Sequence, residues 1–297
     1  MVSGNYNKTR HNKSSLCKRQ NKCACRPSLL NWDIIMGVIV PVLYIVATPI
    51  GNLEDITLRA LRVLGEVDLI AAEDTRTARK LLNRYNIKTR LTSYFEHNRQ
   101  EKMPRLLEML AEKDVALISE AGMPGISDPG YELIRGAIGR GLKVEVLPGA
   151  SALTTAMAVS GLPTDQFLYL GFLPRKKGEK RKLLSEVSSE TRTIICFESP
   201  HRVQDSLQAM LETLGDRQVA VCREMTKLHE EVYRASLSEA AVYFKQARGE
   251  FTIVVQGNND IKKSRRKAGA KSKEVTEYAR EIPQGGKLNR HGKVRRL

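Results

Sequence analysis

Residues 120–130, EAGMPGISDPG, place three glycines, two prolines and two carboxylates in eleven positions. Such a loop lets backbone approach a ligand closely while the prolines hold it rigid. Glu120 and Asp128 could then accept hydrogen bonds from ligand hydroxyls or an amine. The same residues also read as a run of sharp turns in which Asp128 caps a helix, and spacing leaves both readings open. Two further turns have unusual chemistry, TPIGN at 48–52 and PGAS at 148–151. Downstream, FESPHR (197–202) sets Glu198 at the end of an apolar run and His201 and Arg202 at the start of a helix. His201 could serve as a base or as a plain capping imidazole, and Arg202 could grip a phosphate bidentately. In REMTKLHEE (223–231), Lys227 follows another apolar run. It could activate a hydroxyl if burial or neighbouring cations lowered its pKa, or it could form an ion pair with Glu224 or Glu230.

Other chemistry is unsupported. No GxGxxG follows the first strand and no GxxxxGK[ST] appears, so neither a Rossmann dinucleotide site nor a P-loop is indicated. His11 with Cys17, Cys23 and Cys25 matches no zinc spacing, so no metal is expected.

The elements that must carry these turns are short β-branched runs alternating with amphipathic helical stretches. Strands are predicted at 42–47, 69–73, 89–93, 115–119 and 143–147. Helices are predicted at 55–64, 77–84, 99–112, 130–140 and 150–160. This order predicts an α/β fold with a largely parallel sheet, whose strand-to-helix turns bind ligands. After GLP (161–163) the chain restarts: strand 167–171, a basic loop 174–182, a helix to about 187, strand 193–198 and helix 201–214. Strand 218–223, a helix near 238–246 and strand 251–256 follow. Two α/β domains are expected, 42–162 and 163–260, with a ligand cleft between them. Residues 34–50 carry no charge but fall short of the about 20 residues of a membrane span, contain Pro41 and lack a cleavage pattern. They read as a buried parallel strand, with no membrane partner. Met36 precedes this strand and is a candidate start, which N-terminal sequencing of the native protein tests.

The formal charge of +16 lies in the two ends. Residues 1–41 hold seven Lys/Arg against Asp33, and residues 261–297 hold thirteen against three acids, whereas 42–260 balance at 29 against 29. Both ends read as extensions, the first disordered, the second with a helix only at 273–282. They suit a salt-sensitive encounter with an anionic partner. Within the neutral body, residues 175–182 (RKKGEKRK) form a cationic cluster suited to nucleic-acid phosphates. Five cysteines and no signal peptide point to a reducing cytoplasm. Cys196 and Cys222 are expected in the core.

Eight motifs occur in one order: LYIVATPIGNLEDITLRALRVL, LIAAEDTR, ISEAGMPGISDPGYELI, VLPGASALTTAMAVSGLP, GFLPRK, FESPHR, REMTKLHEE and GEFTIVVQG. From residue 42 to about 257 the chain thereby resembles the tetrapyrrole methylase superfamily, in its branch of bacterial small-subunit ribosomal RNA methyltransferases. The resemblance implies S-adenosylmethionine as donor and the 2′-hydroxyl of a cytidine in 16S ribosomal RNA, naked or in the small subunit, as acceptor. It also implies a homodimer of two-domain chains with the cofactor between the domains. Carried over by position, cofactor binding falls on Pro49, Glu120, Ala121, Gly122, Ser127, Asp128, Pro129, Ser151 and Ala152. Phe197, Thr252 and Val254 complete that set. Catalysis falls on Lys227, Glu198 and His201, and RNA binding on Asn52, Arg76, Arg175, Lys176, Lys177 and Arg202. Glu120 stands where the family usually has Asp, so its carboxylate reaches one methylene further. The competing readings are a corrin or uroporphyrinogen methylase of the same fold and a non-catalytic RNA-binding protein. The first turn, ATPIGNL at 47–53, favours the RNA branch over the former.

Overall fold

A strand buried on both faces needs an unbroken apolar run, and VLYIV supplies one as β1 (Val42–Val46). The computed structural model describes residues 40–259. The expectations for the two basic ends, for Met36, for His11, Cys17, Cys23 and Cys25, and for the helix at 273–282 lie outside them. Residues 41–259 belong to one compact unit.

The first sheet has the order β3-β2-β4-β1-β5, with β2 (Leu69–Ala72), β3 (Leu91–Ser93), β4 (Val115–Ile118) and β5 (Lys143–Leu147). Every pairing in it is parallel. Helices α1 (Leu58–Glu66), α2 (Thr75–Arg84), α3 (Arg99–Met109) and α4 (Tyr131–Gly139) connect its strands. Separate apolar clusters cover its two faces. Side chains start the helices on the site side: Thr57 accepts from Ala60 N–H, and Asp74 from Arg76 and Thr77 N–H. The predicted helix at 55–64 begins later, because Asn52 caps a separate 3-10 turn, Leu53–Asp55.

The second sheet is mixed, with the order β6-β7-β10-β8-β9. Its strands are β6 (Phe167–Phe172), β7 (Thr193–Glu198), β8 (Gln218–Arg223), β9 (Glu231–Ser236) and β10 (Phe251–Val255). Only β6 and β7 run parallel; β10 lies antiparallel to both β7 and β8. Strand β9 was not expected. EVYRAS at this sheet edge is only half-buried and half polar, so it shows no apolar run. The basic loop at 174–182 is corrected too, since α6 spans Lys177–Glu186. Lys, Glu and Arg are good helix formers, and the charge density disguised a helix that buries Lys180 and Leu184. Helices α7 (Val203–Leu214) and α8 (Leu237–Tyr243) complete this half. Helix α5 (Ala152–Ser160) packs on β10 and β8 of the second sheet although it precedes β6 in sequence.

A further apolar cluster joins the halves. Ile50 from the first turn and Ala156 and Met157 of α5 meet Ile195, Ala220, Cys222, Met225 and Val254. Cys196 and Cys222 are free and buried, and burial pushes both thiols well above the usual range. No helix among the described residues is long and apolar enough to cross a membrane. Ile253 lies fully buried at the centre of the second sheet. Ile253→Ala is expected to cost about 2–5 kcal/mol in urea unfolding, read as a lower midpoint at unchanged slope.

Candidate functional site

The first turn and the glycine-rich loop are bound together by backbone. Thr48 N–H donates to Gly122 C=O at 2.9 Å and Gly122 N–H returns to Thr48 C=O at 3.0 Å. Gly122 sits at φ +81, a conformation that favours glycine. Gly51 leaves room for the opposing half, because a Cβ there would stand 2.6 Å from Thr226 Oγ1 and 2.9 Å from Met225 O.

A cavity of about 340 Å³ opens between these turns and the ends of β7 and β10. Of the residues assigned to the cofactor, Glu120, Ala121, Gly122, Asp128, Ser151, Ala152, Phe197 and Thr252 line it. Glu73, Met123, Ile126, Leu153, Phe172, Met225 and Glu250 line it as well. A second cavity of about 370 Å³ adjoins it, lined by Thr48, Pro49, Gly51, Thr77, Lys80 and Lys227 among others. The two share Ile50, Glu120, Ala121 and Glu250. Pro49 thus faces the second cavity, while Val254 points into the shared apolar cluster. Ser127 and Pro129 line neither; the Ser127 hydroxyl is paired with that of Tyr169 on β6 at 2.5 Å. Ser151 precedes α5 without a side-chain capping bond, so its hydroxyl stays available to a ligand.

The first cavity is strongly acidic. Burial, with repulsion from Glu73 and Glu120 and despite a hydrogen bond from Ser119, raises the Asp128 carboxyl to about 7. Glu73 is also raised, by burial and by the nearby Glu120 and Asp74, with the Glu120 N–H opposing. Carboxylates held this way gain from a cation placed among them. Phe197 meets Tyr169 and Phe172 edge-on at 5.3 and 5.6 Å, giving the cavity an aromatic side.

The three residues expected to act in catalysis are placed differently from one another. Glu198 reaches the wall of the first cavity, but its carboxylate is fully buried. It accepts from Arg202 at 2.7 Å, Ser206 Oγ at 2.6 Å and Ser199 N–H at 2.8 Å. Lys180 Nζ donates to Ser206 Oγ at 2.8 Å, and burial lowers its pKa against the pull of Glu198. A carboxylate so committed is scaffold, and Arg202 serves it through Nη2, which also donates to Leu173 C=O, while its Nε is buried without a partner. Lys227 lies between Glu250 at 2.9 Å and Glu224 at 3.0 Å. Burial would lower its pKa, but hydrogen bonds to both carboxylates outweigh it and the pKa is raised. A lysine base needed burial or neighbouring cations to prevail, and here the two carboxylates do. His201 is exposed in the turn before α7 and lines neither cavity.

Among the RNA candidates, Asn52 caps its 3-10 turn and binds Thr226 through its N–H at 2.9 Å. Arg76 is almost wholly exposed near Asp74. Arg175, Lys176 and Lys177 are exposed at the start of α6, just beyond Phe172. Phe172 and Glu250 were missed as cavity residues, although GFLPRK and GEFTIVVQG contain them. Among the described residues no group of His, Cys, Asp and Glu could hold a metal ion.

Residues 42–241 match the family of Tetrapyrrole (Corrin/Porphyrin) Methylases. A protein of Halalkalibacterium halodurans named Ribosomal RNA small subunit methyltransferase I is 52% identical over 221 residues, 73% of this chain and 76% of that protein. Its namesake from Thermotoga maritima is 51% identical over 218 residues, 72% of this chain and 98% of that one. The chain belongs to this methyltransferase family of the tetrapyrrole methylases. The fold agrees with solved structures of the superfamily. Cobalt precorrin-4 methyltransferase matches at a TM-score of 0.55 and 20% identity, over 72% of this chain and 94% of that one. Diphthine synthase matches at 0.58 and 16%, over 73% and 90%.

The buried pair separates a scaffold role for Arg202 from RNA contact. Arg202→Met leaves Glu198 without its cation, so a loss of about 3 kcal/mol is expected in chemical denaturation. A variant of wild-type stability with weakened RNA binding would restore the phosphate role.

Proposed function

We propose that this methyltransferase transfers a methyl group from S-adenosylmethionine to the 2′-hydroxyl of a cytidine ribose in 16S ribosomal RNA. The observation that carries the reading is the near half identity to two proteins named Ribosomal RNA small subunit methyltransferase I. The first cavity fits the cofactor's chemistry. Its raised carboxyl at Asp128 suits a cationic ligand, the unbonded Ser151 hydroxyl a polar tail, and Phe172 and Phe197 an apolar ring. When bound, S-adenosylmethionine supplies a methyl group already activated on a sulfonium. The protein's task is then alignment, exclusion of water and removal of one proton.

In this reading Asp128, Ala121, Gly122, Ser151, Ala152, Phe197 and Thr252 hold the cofactor between domains 42–162 and 163–260. Ser127, Pro129 and Val254 support that wall from behind. Glu198 and Arg202 brace the end of β7, and Lys227 ties the 224–230 turn to Glu250. Asn52, Arg76, His201 and the Arg175–Lys177 cluster flank the RNA path. The enzyme acts in the cytoplasm as a homodimer, and the small ribosomal subunit is its partner.

Incubation with small ribosomal subunits and labelled cofactor should place label on the 2′-oxygen of one cytidine in 16S RNA. Label on a tetrapyrrole instead, or none on RNA, would overturn the reading. Cofactor affinity should also depend on pH. Asp128 is protonated below about 7, and a cationic ligand must displace that proton, so affinity strengthens as pH rises through about 7 and levels above it. Calorimetry should show proton release on binding near neutral pH, and Asp128→Asn should flatten the profile while weakening binding throughout.

A further inference from the structure

The proton of the acceptor hydroxyl needs a base, and the buried pair at Glu198 and the raised Lys227 leave that position unfilled. Two cavities meet at one wall, formed by Ile50, Glu120, Ala121 and Glu250. If the methyl donor fills the acidic, aromatic cavity, an acceptor oxygen in line with the methyl group must approach through this wall from the polar cavity beside it. Only two of its residues carry titratable side chains. Glu250 is bound to Lys227 at 2.9 Å. Glu120 has no cationic partner among the described residues; its one side-chain contact is the Thr77 hydroxyl at 3.5 Å, the limit of a hydrogen bond.

The position of Glu120 is nevertheless determined by backbone. Its N–H donates to Glu73 Oε2 at 3.3 Å, and two residues on, Gly122 is paired with Thr48 in both directions. The main chain is held while the carboxylate stands exposed at the junction. The polar cavity is also lined by Lys80 and Thr77, a cation and a hydroxyl suited to a nucleotide's phosphate and sugar.

Resting on the function proposed above, we infer that Glu120 is a catalytic residue, the general base that takes the 2′-hydroxyl proton of a nucleotide seated in the second cavity. The ribose oxygen forms its bond to the methyl carbon as its proton passes to the Glu120 carboxylate. The carbon–sulfur bond breaks with its electron pair kept by sulfur, so a methyl ether, a neutral thioether and a protonated carboxyl result. The proton then leaves to water from the exposed side chain. This role differs from the cofactor contact that resemblance assigned to Glu120, and the two predict different measurements.

The test compares wild type with Glu120→Gln and Glu120→Asp in single-turnover methyl transfer to small ribosomal subunits at saturating cofactor, with cofactor affinity measured separately by calorimetry. The base role predicts that the Gln variant loses at least about a hundredfold in rate, keeps cofactor affinity within about threefold, and regains most of the rate as Asp. A Gln variant of wild-type rate, or one whose loss vanishes as cofactor is raised, overturns the assignment. In that case wild-type activity still stands, so the function proposed above survives. A wild type that transfers no methyl group to the subunit fails that function and this inference together.

Discussion

Two hydrogen bonds between the backbones of Thr48 and Gly122 tie together parts of the chain more than seventy residues apart. Much of the site depends on them. They hold the turn after β1 against the turn after β4, and so place Ile50 where it can enter the apolar cluster shared by the two sheets. Ile50 and Glu120 then form part of the wall between two cavities. A side chain on Gly122 would strain its positive φ, and one on Gly51 would strike Thr226 and Lys227. Gly51 of TPIGN is thereby explained by the close approach of residues 225–227, and Gly122 of SEAGMPG by its backbone conformation.

Electrostatics inside the body run opposite to the charge of the whole chain. The net +16 belongs to the two ends, while the first cavity gathers Glu73, Glu120, Asp128 and Glu250. Partial burial, with repulsion among the gathered carboxylates, raises Asp128 and Glu73 and makes a cation a favourable guest. The buried group beside them follows a different rule. Glu198, Arg202, Ser206 and Lys180 are hydrogen-bonded to one another at 2.6–2.9 Å, so the Glu198 carboxylate is already committed. One cluster is poised for ligand charge; the other holds β7 to α6 and α7.

Much of the fold was legible because strands buried on both faces must be apolar throughout. β1, β4, β7, β8 and β10 lie within a residue of the predicted bounds. β9 was not legible, since an edge strand needs only one covered face and EVYRAS advertises none. The start of α6 was hidden by its charges, although Lys180, one of them, is buried. In the site, the loop chemistry of residues 120–130 pointed to Asp128 and Glu120, whereas Phe197 was reached only through the family resemblance. Lys227 could not be resolved in the same way, because its partner Glu250 is twenty-three residues distant and its sign of shift depends on that partner.

The sequence by itself determined the family, the apolar strands and the glycine-rich turns, since these rest on local composition and on motifs read along the chain. Tertiary structure alone decided which charged side chains are neutralised and which remain available. Glu198, Lys227 and Arg202 are held by oppositely charged partners, while Glu120 meets only the Thr77 hydroxyl and no cation among the described residues. Ionisation and reactivity depend on burial and on charges within a few ångströms, and those distances come into being only when strands, helices and turns distant in sequence pack together.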